Sequence, residues 1–177
     1  MVPFAPMPEF LPTPVKHIVL GVNGGPTDPL VVKLGCQLAR EQRASVTALH
    51  VVEVDWTHDL AEDVSSGNEA AAAVLDRAEA VAEKLEVPLA TALLQARDVG
   101  AALVDEAAEQ RADLIIMGLP YRKKFGGDFA IGRTVPYVLQ NAPFGVLVVR
   151  EPIARSEARG REPLVAVGAG LGARDRI

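Results

Sequence analysis

The chain has 177 residues, 49% hydrophobic and 23% charged, with a formal net charge of −5. That length and balance suit one domain with a full core, and the acidic sign argues against nucleic acid or an anionic membrane surface as partner. A lone cysteine, Cys36, excludes an intramolecular disulfide and a multi-cysteine metal site; three scattered histidines give no ligand spacing, so no bound metal is expected.

The first sixteen residues, MVPFAPMPEFLPTPVK, hold five prolines. They lack the basic start and unbroken apolar middle of a signal peptide, and residues 1–16 read as a flexible, proline-rich lead-in. No apolar run reaches the roughly 20 residues that span a bilayer. The expectation is a cytoplasmic protein with no direct membrane insertion.

Residues 16–22, KHIVLGV, are a short continuous apolar run that ends in Asn23-Gly24-Gly25-Pro26, the pattern of a strand buried on both faces. Over 28–43, Leu30, Val31, Leu34, Leu38 and Ala39 follow helical spacing. Thr27 or Asp28 serves as cap, and Pro29 falls in the first turn, where a missing N–H costs nothing. Cys36, among leucines and alanine, reads as a small buried hydrophobe.

Residues 45–54, SVTALHVVEV, are β-branched and predict a second strand, with His50 as a satisfied core histidine. Residues 55–68 are polar and irregular and read as a loop over the sheet edge, with Trp56 and His58 as packing residues. Residues 69–85 place Val74, Leu75, Ala78, Val81, Ala82 and Leu85 on one helical face. A third strand follows at 88–95, a third helix at 99–110 with Ala102, Leu103 and Ala107 inward, and a fourth strand at 112–117.

The strand breaks at Gly118 into a glycine-punctuated basic loop, LPYRKKFGGDFAIGRT. A short helix over 134–141, with Pro136 in its first turn, and a strand over 145–149 complete the domain. Beyond Arg150 a charged, proline-broken stretch leads to LVAVGAGLGARDRI, whose glycines imitate a dinucleotide fingerprint without room for the helix that fingerprint needs. Residues 151–177 read as a disordered or partner-docking tail, which leaves 17–150 as the domain.

Strands alternating with helices at this spacing predict right-handed crossovers. The fold class is therefore α/β, a Rossmann-like three-layer sandwich around a five-stranded, mostly parallel open sheet. Ligands in such sheets sit beyond the carboxyl ends of the strands, where strand order reverses. Residues 21–25, residues 50–52 and Met117-Gly118 are equipped for this. An apolar strand that releases into glycines and then a helix N-terminus is suited to phosphate, since the helix end offers unpaired N–H groups and partial positive charge.

Within that loop the residues keep two readings each. Arg122-Lys123-Lys124 either clamps phosphate or forms a solvated basic turn, and Gly126-Gly127 is either a ligand contact or a turn. Arg133 at a helix start opposes the helix dipole and calls for a nearby anion, either a ligand or Asp128. Tyr121 either stacks on a purine or fills the volume a base would take.

The order of elements, the stretch Ala112-Asp113-Leu114-Ile115-Ile116-Met117-Gly118, the turn at Arg97-Asp98 and the ending Asn-Ala-Pro-Phe-Gly-Val-Leu-Val-Val-Arg at 141–150 together resemble the universal stress protein family. The likeness covers 17–150 and neither terminus, and it implies an adenine nucleotide alpha hydrolase-like fold. Nucleotide-binding members carry glycine, two residues, glycine, nine residues, then glycine with serine or threonine. Gly118 matches the first glycine and Tyr121 stands at the second. Gly132 matches the third after one extra residue, and Arg133 replaces the hydroxyl residue with Thr134 beside it. Asn23 stands where binders end the first strand with aspartate.

The resemblance implies a non-catalytic adenine-nucleotide-binding regulator of stress or transport. Its ligand residues would be Gly21, Val22, Asn23, Val51, Met117, Gly118, Tyr121, Arg122, Gly132, Arg133 and Thr134, with the base between Val22, Asn23 and Val51. The ligand would be ATP or AMP, with or without Mg, or cyclic di-AMP as the alternative. A homodimer through Val146, Leu147, Val148 and Val149 follows from the resemblance and from the exposed apolar edge this strand would otherwise present.

The loop is also similar to a subgroup attached to amino-acid or cation transporters. That likeness implies a second function, a ligand-free dimeric interaction module regulating a membrane transporter. A third, weak ATP hydrolysis, rests on the similarity of residues 23–28 to the Ser-Gly-Gly loop of adenylating pyrophosphatases; the serine is missing here and no paired acid and base accompany it.

Overall fold

The computed structural model describes residues 14–54, 65–119 and 131–150, with backbone alone at 65–68. Within them strands and helices alternate: β1 (His17–Gly21), α1 (Asp28–Gln42), β2 (Ser45–Glu53), α2 (Ser65–Lys84), β3 (Ala90–Ala96), α3 (Val99–Glu109), β4 (Leu114–Leu119), α4 (Thr134–Asn141) and β5 (Gly145–Arg150). The sheet order is β3-β2-β1-β4-β5, and every neighbouring pair is parallel. The open parallel sheet expected from the sequence is thus present in fully parallel form.

Both faces of the sheet are covered, which is why the strands read as continuous apolar runs rather than alternating ones. Alternate side chains of β1 part company: Ile18 and Leu20 join Val31, Val32, Cys36, Val74 and Leu75 under α1 and α2. Val19 joins Leu49, Leu103, Ile115, Val135 and Val138 under α3 and α4. Cys36 is fully buried, and burial pushes its thiol up, only partly opposed by the charge of Arg40.

The start of β1 is pinned by Asp113, whose Oδ2 accepts the backbone N–H groups of Lys16 at 2.7 Å and His17 at 3.0 Å. Val15, just before, is already part of the core. Among the described residues, no helix is long and apolar enough to cross a membrane.

Two boundaries differ from the sequence reading in ways that matter. The helix expected from 69 begins at Ser65, inside the stretch read as loop. Serine and asparagine tolerate a helix start, and one glycine costs only about 1 kcal/mol against the propagation of the alanine-rich turns that follow. The second difference is that β4 does not break at Gly118. It runs on to Leu119, with Gly118 paired to Val149 and Leu119 to Arg150.

Candidate functional site

The chain runs outward from β1 to β3, then returns to the other side of β1 to place β4. Strand order therefore reverses between β1 and β4. Gly21, the last residue of β1, is level with Met117 on one side and Leu49 on the other. The loops that follow must diverge from that point, and a cavity of about 310 Å³ opens between them.

Seven residues expected at the site line this cavity: Gly21, Val22 and Asn23 after β1, Val51 in β2, Met117 and Gly118 in β4, and Thr134 at the start of α4. Gly132 and Arg133, also expected there, are not among its lining residues. Arg133 and Thr134 line an adjoining cavity of about 260 Å³ with Glu53, Asp98 and Tyr137. Tyr121 and Arg122 lie outside the described residues, as do Lys123, Lys124, Gly126, Gly127, Asp128, Trp56 and His58.

The structure adds Asp28, His50, Glu53, Val99, Leu103 and Val135 to the lining. Glu53 carried a signal, because it lies two residues beyond Val51 in one strand and so shares its face. For Asp28 the sequence offers only a capping role, whereas His50 falls in the 50–52 stretch expected at the strand ends, although its own reading is a core histidine.

The loop after β1 is held by its own side chains. Asp28 Oδ2 accepts the backbone N–H of Asn23 at 3.0 Å and of Gly24 at 2.6 Å, and Asn23 Oδ1 accepts the N–H of Gly25 at 2.8 Å. Gly24 has φ of 82°, the left-handed region where a side chain would be strained. Thr27 occupies the cap position of α1 without a side-chain capping bond; Asp28, the first helical residue, reaches back to the loop instead. Burial raises the proton affinity of Asp28. The amides of Gly24 and Asn23 and the charges of His50 and Arg77 oppose that rise without cancelling it.

His50 Nδ1 lies 2.8 Å from the carbonyl oxygen of Val22. A carbonyl only accepts, so the proton sits on Nδ1. One ring nitrogen is thus bonded, but the residue is half-buried rather than in the core, and its ring is a wall of the cavity. Gly118 has a packing reason of its own: a Cβ there would lie 2.4 Å from Thr27 Oγ1 and 2.9 Å from Thr27 Cβ. Around Gly132, by contrast, nothing among the described residues lies within 4 Å of an added Cβ.

The anion that Arg133 calls for is Glu53. Arg133 Nη2 donates to Glu53 Oε1 at 2.9 Å, with the two side chains 87% and 52% exposed. At that exposure the pair contributes little to stability. Its position is more informative, because Glu53 faces both cavities and the guanidinium is held at the edge of the α4 N-terminus. Among the described residues no group of three His, Cys, Asp or Glu side chains is placed to hold a metal ion.

An open parallel sheet with a ligand-sized crevice at its strand-order reversal defines the doubly wound α/β class of ligand-binding proteins. Within that class a family model, the universal stress protein family, matches residues 14–150, and the chain belongs to this family. No curated protein matches the chain. Among solved structures it is similar to a universal stress protein in complex with cAMP, at 20% identity and TM-score 0.61 over 78% of this chain and 98% of that one. It is similar also to a universal stress protein from Archaeoglobus fulgidus, at 20% identity and TM-score 0.63 over 75% and 97% of the two chains. The Archaeoglobus fulgidus universal stress protein in complex with dAMP matches at 20% identity and TM-score 0.58, over 76% and 98%. At these identities the likeness carries the fold.

Proposed function

We propose that the chain binds an adenine nucleotide in the crevice between the ends of β1 and β4 and acts through it as a non-catalytic regulator. The observation that carries this reading is the make-up of the crevice. Val22, Val51 and Met117 offer apolar walls to a base, while the start of α4, at Thr134 beside Gly118, offers N–H groups to phosphate. Two solved structures of similar fold, the complexes with cAMP and with dAMP, support an adenine ligand. ATP, AMP and cyclic di-AMP are the candidates; magnesium accompanying ATP would be held mainly through the phosphates.

Arg133 gives the site its response. It pairs with Glu53, and a bound phosphate would offer the guanidinium a bidentate partner in exchange. Release of Glu53 then changes the surface between β2 and α4, which is the output a partner would read.

Two measurements test the proposal. Protein purified from cells is denatured and the released small molecules weighed by mass spectrometry; an adenine nucleotide is expected. Calorimetry with ATP, AMP and cyclic di-AMP follows, and absence of heat and of any thermal shift with all three rejects nucleotide binding. Gly132→Val separates site from fold. No described residue would meet a side chain at Gly132, so stability is expected to stay within about 0.5 kcal/mol, while the added side chain at the phosphate end weakens binding. Hydrolysis enters the account only if product accumulates with wild-type protein and not with Gly132→Val.

A second reading, a ligand-free dimeric interaction module serving a membrane transporter, draws support from the exposed apolar Leu139 and Leu147 on the α4 and β5 side. A protein that carries no nucleotide, binds none, and still associates through that side would select it.

A further inference from the structure

We propose that Asp28, rather than Asn23, reads the sugar of the bound nucleotide, accepting a hydrogen bond from a ribose hydroxyl and so favouring ribonucleotides over their deoxy counterparts. The inference rests on the adenine-nucleotide reading above and names the residue that sets specificity within that site.

Asn23 stands where the resemblance led one to seek the ligand-reading acid, but its oxygen is committed. Oδ1 of Asn23 accepts the N–H of Gly25 at 2.8 Å inside the loop after β1. A ligand hydroxyl would have to displace that bond. What remains to Asn23 for a ligand is its NH₂ group, a donor, which suits a different partner.

Asp28 has the complementary capacity. Asp28 lines the cavity, and also a neighbouring one with Arg77, and among the described residues its hydrogen bonds use Oδ2 alone, shared by the amides of Asn23 and Gly24. A carboxylate accepts at both oxygens, so Oδ1 keeps its acceptor sites. The two amides also fix the group, and a pre-set acceptor costs a ligand less ordering than a mobile one. His50 and Arg77 lie close enough for their charges to favour the ionised form.

Position selects the part of the ligand. On the nucleotide reading the base lies against Val22 and Val51 and the phosphates against Gly118 and Thr134, all four of which line the cavity. Asp28 follows Thr27, whose side chain packs on Gly118, and holds the amides of the two residues that follow Val22. It therefore stands between the two ends, where a nucleotide carries its sugar. A group with only acceptors selects donors, and the donors of that stretch are the ribose hydroxyls.

Calorimetric titration of the full chain with AMP, 2′-deoxy-AMP and 3′-deoxy-AMP tests this. Wild-type protein is expected to bind AMP roughly tenfold more tightly than at least one deoxy analogue, the effect of one hydrogen bond to a charged acceptor. Asp28→Asn, which keeps an acceptor for the loop amides, narrows that ratio to about threefold or less, as a neutral bond would. Asn23→Ala, which loses the Gly25 contact, weakens all three ligands together and leaves the ratio. The ratio is the readout because a loosened loop lowers every affinity alike.

The wild-type ratio needs no variant and so stands even if Asp28→Asn fails to fold. Wild-type protein that binds AMP and both analogues equally overturns the inference alone, as does a ratio unchanged in a folded Asp28→Asn. Wild-type protein that binds none of the three, or ATP, overturns the nucleotide reading and this inference with it.

Discussion

Gly118 and Gly132 look alike in the sequence, two glycines of one spaced pattern, yet they do different work. At Gly118 the missing side chain makes room for Thr27, so helix α1 can close on β4 whether or not a ligand is present. Gly118→Ala is expected to cost about 1–3 kcal/mol, the usual range for overpacking, read as a lower urea midpoint. Thr27→Ala in the same chain recovers part of the loss, and the non-additivity in a double-mutant cycle marks the contact. Spacing finds both glycines but cannot tell a packing glycine from an open one, because the deciding neighbour of Gly118 is 91 positions away. The same holds for Arg133: its need for an anion was legible from its place at a helix start, and its partner Glu53, 80 positions away, was not.

Asp28 carries a pH signature at this scale. Burial leaves its folded-state proton affinity above the ordinary 3.8, so the folded state binds more proton than the unfolded one in the window just above that value. Its contribution to stability is therefore fully present below pH 3.8 and lost as pH rises through the raised value. Asp28→Asn has no such charge to bury. Its stability relative to wild type is expected to improve between acid and neutral pH, measured as the difference in thermal midpoints across a pH series. A difference that is flat with pH would reject the assignment.

At the scale of the element, α1 sits on β1 through Gly35. A Cβ at Gly35 would meet Leu20 Cδ2 at 2.4 Å and Leu20 Cγ at 3.3 Å, and Leu20 is fully buried. Alanine is the better helix former by about 1 kcal/mol, so two effects compete. The clash is expected to win: Gly35→Ala lowers stability in the wild type by roughly 1–2 kcal/mol, and raises it in the Leu20→Ala background, where the δ carbons are gone. Urea denaturation of the four chains reads both signs. Element identity was legible because each strand is a continuous apolar run and each helix an apolar stripe. Element ends were less so. Helices α1, α2 and α3 are followed by Arg43, Glu86 and Arg111, each with φ of 55°, where the sequence rule looks for glycine. Gly118, which the rule reads as a breaker, lies inside β4 because its backbone pairs with β5 on one side while Thr27 covers it.

For the whole molecule, a parallel sheet that does not close leaves two edges, β3 and β5, and the choice between them decides how copies associate. Local patterns do not give strand order, so the expectation that β5 is the dimer edge came from family likeness together with its apolar sequence. The surface gives a separate reason. Each edge strand exposes one leucine to the same degree, Leu93 in β3 and Leu147 in β5, both at 37%. Helix α4, which precedes β5 and packs on it, adds a further exposed leucine, Leu139 at 56%. A two-fold axis perpendicular to β5 would pair the two copies antiparallel and bring Leu147 of each chain to the seam. The expected outcome is a dimer by sedimentation across a concentration series, lost when Leu139→Lys and Leu147→Lys are combined and kept with Leu93→Lys. A dimer that survives the first pair and falls to the second would move the interface to β3. A wild-type monomer throughout would mean that neither edge associates, and the regulatory output would then have to leave through the Glu53 and Arg133 surface of a single chain.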